Sequence, residues 1–187
     1  MALLAAPCSG CLVTGKHTFD EEPNSPPVIL SKTGQPAIGK IVWIDNVQPE
    51  WRFEVRVRDE DVDDVLEARW RVRHLDDLEP VFESREVRGS GSALRDLEVV
   101  VNTANLIEYR CHQLELVVSG SFPGFTAPEF FDTVLPGDED DVARAMWTIW
   151  EGQGPSTPPA LQGQIAASCE TIVNLLGTET MPTMEPR

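Results

Sequence analysis

Basic residues are scarce in this chain: 15 Lys and Arg face 31 Asp and Glu across 187 residues, for a formal net charge of −16. Such a chain repels nucleic acid and anionic lipid headgroups, so neither is expected as a partner. Long apolar runs are missing too. None reaches the ~20 residues that a membrane-spanning helix needs, so contact with a membrane is expected only through a lipid anchor. Histidine is limited to His17, His74 and His112, and none has a Ser, Cys or carboxylate at a spacing that builds a triad. There is no P-loop and no GxGxxG; Gly89-Ser90-Gly91 is a lone turn. The chain therefore reads as non-enzymatic, with no organic cofactor. A glycan-acting enzyme stays as an alternative, because paired carboxylates come from distant strands.

What is present is alternation. In Trp51 to Arg58, Phe53, Val55 and Val57 point one way and Glu54, Arg56 and Arg58 the other. In Leu66 to Arg73, Leu66, Ala68, Trp70 and Val72 oppose Glu67, Arg69, Arg71 and Arg73. A period of two with one apolar face is the mark of a half-buried antiparallel sheet. Further strands are expected at Val28 to Leu30, Ile38 to Ile44, Val81 to Arg88, Leu94 to Val101, Gln113 to Val118 and Arg144 to Trp150. Thr103 to Arg110 suits one helical turn, with Leu106 and Tyr109 packing down. Leu161 to Leu176 places Ile165, Cys169, Ile172, Val173 and Leu176 at helical spacing, which predicts a short helix. Many short strands without strand–helix alternation argue for a sandwich and against a parallel α/β sheet. The expected order is a residual signal over 1–11, a Pro-broken polar linker over 12–26, a β-sandwich over 27–151 and a Pro-rich tail over 152–187.

Cysteine usage bears on compartment. Met1 to Pro7 is apolar and rich in small residues, and Ser9-Gly10-Cys11 resembles the end of a bacterial lipobox, although Cys8 stands where that pattern has Leu. The resemblance implies lipidation of Cys11 and loss of Cys8 with the signal. Leu12 after Cys11, by resemblance to Gram-negative sorting patterns, implies the outer membrane. Cys111 and Cys169 then remain as an even pair, expected to form a disulfide in an oxidising envelope compartment. Cys8-x-x-Cys11 has no second CxxC, and His17 alone is a poor fourth ligand, so a metal or redox motif is disfavoured.

Val57-x-Asp59-x-Asp61, an acidic loop, Leu66 and then Trp70 resemble the B–C region of bacterial immunoglobulin-like modules of the PKD and cadherin-like kind. His112 to Ser119 resembles their F strand and Arg144 to Trp150 their G strand; the W-x-F-G-D signature of PKD repeats is absent. The resemblance implies an all-β, Ig-like antiparallel Greek-key β-sandwich, here with a short C-terminal helical tail. It also implies a spacer, adhesion or ligand-presenting module whose partner is an envelope or extracellular protein or polysaccharide.

Three clusters are candidates for function. Asp59, Asp61, Asp63 and Asp64 form one acidic loop; Asp138, Glu139, Asp140 and Asp141 form a second, before the last strand, with Asp138 and Asp140 as the candidate ligands there. If the two loops share one end of the sandwich, their carboxylates suit a calcium ion, which takes six to eight oxygens; otherwise both are solvated loops. Arg56, Arg58, Arg69, Arg71 and Arg73 are read as one basic face, engaged in cross-strand ion pairs or docking an anionic partner. Phe122, Phe125, Phe130 and Phe131 lie in a long segment between strands, where they cap the sandwich or form a contact surface.

Overall fold

The computed structural model describes residues 25–44, 47–73, 81–88, 91–123, 131–132, 134, 140–152 and 158–178. Among the described residues eight strands form: β1 (Val28–Ile29), β2 (Ile41–Ile44), β3 (Glu50–Arg58), β4 (Leu66–Arg73), β5 (Val81–Val87), β6 (Leu94–Asn102), β7 (Cys111–Ser119) and β8 (Ala143–Glu151). A helix, α1, spans Pro159–Thr178. One sheet has the order β1-β3-β6, the other β2-β8-β7-β4-β5. The chain changes sheet at every step from β1 to β4, and again between β5 and β6 and between β6 and β7, as a Greek-key sandwich requires.

The alternation is what separates inside from outside. Phe53, Val55 and Val57 of β3 face Leu66, Ala68, Trp70 and Val72 of β4 across the core, all nearly closed to water. The same core holds Leu97, Val99 and Val101 of β6 and Leu114, Leu116 and Val118 of β7. Each such side chain contributes roughly 1.5–3 kcal/mol on burial. Trp147 sits at the centre, fully buried, edge-on to Phe53 at 5.4 Å between ring centroids. Its indole N–H donates to the Pro36 carbonyl at 2.9 Å, which satisfies the one polar atom it brings inside.

Three features depart from expectation. β2 pairs with β8 in parallel, Ile41 opposite Thr148, so the sandwich is not wholly antiparallel. A strand of four residues carries too little alternation to state its partner's direction. The five arginines do not share a face: Arg56 and Arg58 belong to the β1-β3-β6 sheet, Arg69, Arg71 and Arg73 to the other. Strands adjacent in sequence are here on opposite layers. Tyr109 does not pack with Leu106; it stands 54% exposed with φ +60 while Leu106 is buried.

The tail is docked through Cys111 and Cys169, which are disulfide-bonded with Cα atoms 5.5 Å apart. The bond joins β7 to α1 across 58 residues of sequence. Around it Ile165 packs against Ile41, Trp43 and Trp150, forming a second, small apolar cluster outside the sheet. Pro159 opens the helix, where its missing N–H leaves nothing unpaired.

Candidate functional site

The acidic loop begins where β3 ends. Asp59 is only 2% exposed, and its two oxygens are committed in different directions. Oδ1 accepts the Asp61 backbone N–H at 3.1 Å, tightening the turn, and Oδ2 accepts from Arg95 Nη2 at 2.8 Å. Arg95 comes from β6, on the inward phase it shares with Leu97, Val99 and Val101. Its guanidinium also donates to the carbonyls of Asp61 at 2.9 Å, Asp64 at 2.6 Å and Val87 at 3.2 Å. The loop is thus wrapped around a buried cation supplied by the chain itself. Arg95 Nε is buried without a partner. Burial pushes the Asp59 carboxyl above its ordinary value; the Asp61 N–H and Arg95 oppose the rise, and the charges of Asp64 and Asp61 add to it.

The second acidic segment reaches the same end of the sandwich. Asp141, buried, accepts through Oδ2 from Ser121 Oγ at 2.8 Å, the Gly120 N–H at 3.2 Å and Ser119 Oγ at 3.3 Å. A Cβ placed on Gly120 would stand 3.4 Å from Asp141 Oδ2 and 3.9 Å from Asp64 Oδ2. Asp61 accepts the Ser25 N–H at 2.8 Å, while Asp63 and Asp140 are exposed. Asp138 lies outside the described residues, as does Cys11. Among the described residues no group of three or more His, Cys, Asp or Glu is arranged to hold a metal ion.

The outer face of the larger sheet is covered around β4, whereas Arg144 and Met146 of β8 stay exposed. Arg69, fully buried, bonds Glu67 Oε1 at 2.8 Å and the Pro123 carbonyl at 2.8 Å, and lies 4.0 Å from the Phe122 ring centroid. Arg71 pairs with Glu115 at 2.7 Å and lies 4.1 Å from the ring of Phe131, which is itself closed to water. Arg73 donates to Gln113 at 2.7 Å. Cation–π stacking and ion pairing together turn this arginine row into a seat for the returning segment. Phe125 and Phe130 are outside the described residues.

The outer face of the smaller sheet is open. A groove of about 550 Å³ there is lined by Thr33, Gln35, Glu54, Arg56, Asp96 and Glu98 among others. Arg56 pairs with Asp96 at 2.7 Å and Arg52 with Glu98 at 2.9 Å. Glu54 stands directly opposite Glu98 in the ladder.

Arg95 and Glu151 are missing from the sequence reading, whereas Asp141 belongs to the second acidic segment it singled out. An arginine on the apolar phase of β6 is a signal that was there to be read; a charge placed inward needs a partner. Glu151 ends β8 on the inward phase and is 4% exposed, with Oε2 unpartnered. Burial, then the charge of Glu108, push its carboxyl above the ordinary value. It continues the phase of Ala145, Trp147 and Ile149, the same kind of signal that Arg95 gives.

No family model matches the chain, and no curated protein matches it. Among solved structures, the apo-form CBD1 domain of Calx is similar over 69% of this chain and 100% of its own, at 11% identity and a TM-score of 0.34. A likeness that remote fixes neither family nor function.

Proposed function

We propose that this chain is a non-enzymatic cell-envelope lipoprotein, tethered through Cys11, whose Ig-like domain serves as a binding or structural module. The observation that carries the reading is the Cys111–Cys169 disulfide, which suits an oxidising compartment and not a cytosol kept reduced. Supporting it, Arg69 and Arg71 on one sheet face are engaged by the aromatic rings stacked on them, while the other face offers an open polar groove. That groove is where an envelope or extracellular protein or polysaccharide would dock. Labelling cells with an alkyne analogue of palmitate tests the tether. Wild type should carry label and sediment with outer membranes, and Cys11→Ser should lose both. Unlabelled wild-type protein in the soluble fraction defeats the proposal.

A calcium-dependent adhesion module ranks second. Asp64 Oδ2 and Asp141 Oδ2 both lie near Gly120, which favours it, whereas Arg95 already fills the space between Asp59, Asp61 and Asp64. A glycan-acting enzyme ranks third; hydrolysis of labelled envelope glycans by the purified protein would raise it.

A further inference from the structure

We propose that the Arg95 guanidinium is the resident cation of the acidic pole, holding the seat a divalent ion would otherwise take. The loop is thereby built for a charge, yet independent of calcium. Four oxygens converge on the guanidinium: one Asp59 carboxylate oxygen and the carbonyls of Asp61, Asp64 and Val87, at 2.6 to 3.2 Å. A carboxylate and backbone carbonyls are also among the oxygens that calcium takes from a flexible loop, where waters complete the six to eight it needs. Here the positive charge arrives on the same polypeptide, 2% exposed, opposite a carboxylate 1% exposed.

The covalent cation has two consequences. It gives the loop charge compensation with no dependence on ion concentration, and it ties β3, β5 and β6 together through Asp59, Val87 and Arg95 itself. The exposed acids of the pole, Asp63 and Asp140, are then presented constitutively, not on a calcium signal. The inference does not rest on the envelope reading and stands or falls apart from it.

Replacing the guanidinium should uncover the seat. Methionine keeps the stem to about the position of Nε and vacates the rest. Thermal unfolding of wild type should be the same in EDTA and in millimolar Ca²⁺. Arg95→Met should melt roughly 10 °C lower in EDTA, as expected when a buried pair loses one partner. Millimolar Ca²⁺ should restore at least half of that loss, and equal Mg²⁺, which keeps its waters, should not. Tb³⁺ luminescence should report one ion in R95M and none at this loop in wild type, and D59N added to R95M should abolish it. If R95M does not fold in EDTA, its refolding yield from urea with and without Ca²⁺ gives the same answer. R95M that melts like wild type in EDTA overturns the proposal. So does R95M that is destabilised but indifferent to Ca²⁺ and Tb³⁺, or that refolds in neither condition.

Discussion

Glu151 shows what a single misplaced charge does. Its carboxyl is buried at the end of β8 and its titration is pushed up by burial and by Glu108. Below the ordinary glutamate value it is protonated in folded and unfolded chains alike, and its contribution to stability is fully present. As pH rises through the raised folded value, ionisation must occur in a closed site, and that contribution is lost. Glu151→Gln should therefore melt higher than wild type at pH 8, with the gap closing as pH falls toward 4; thermal scans across that range check it. A gap that is constant with pH would mean that Glu151 does not titrate differently on folding. Trp147 makes the opposite kind of contribution: fully closed, edge-on to Phe53 and bonded to Pro36. Trp147→Ala should cost about 3–5 kcal/mol by denaturant titration. Trp147 lies on the apolar phase of its strand, so its place in the core was legible from alternation. Arg95 lies on such a phase as well, but an arginine reads as surface unless its phase is weighed above its charge.

At the scale of elements, the disulfide and the arginine row decide how the parts outside the sheets are held. α1 touches the sandwich through Ile165 and Cys169, set against Ile41, Trp43 and Trp150. Cys169→Ser should lower stability by about 4 kcal/mol in the chain-entropy account of a loop this long. It should also expose α1 to protease. Arg69→Ala removes the stacking on Phe122 and the bonds to Glu67 and Pro123. The expected cost is about 3 kcal/mol, with hydrogen exchange rising first at Ser121 and Phe122. β3, β4, β6 and β7 were readable because long strands repeat their period enough times to state it. The parallel partner of β2 was not, since its direction depends on how the chain crosses between sheets. The same crossing hid the division of the arginines: β3 and β4 are neighbours in sequence and lie in different layers. The pairing of Cys111 with Cys169 was legible only by elimination of Cys8 and Cys11, not from the fold.

At the scale of the whole molecule, an acidic chain of net charge −16 needs internal compensation wherever carboxylates crowd. Buried guanidiniums provide it at the acidic pole, through Arg95, and on the covered sheet face, through Arg69. The position of the acidic loops at one end followed from the expected topology; what sits between them did not, because Arg95 is 36 residues from Asp59 in sequence. The helix is stapled to the sheet by the disulfide; the oxidising envelope compartment and the lipid tether are what we propose. Mass spectrometry of the protein taken from its own cells, digested without reductant, tests that most directly. The account predicts an N-terminal peptide beginning at a lipid-modified Cys11 and a cross-linked pair of peptides containing Cys111 and Cys169. An unmodified peptide that runs through Cys11, together with free thiols at both other cysteines, would contradict it.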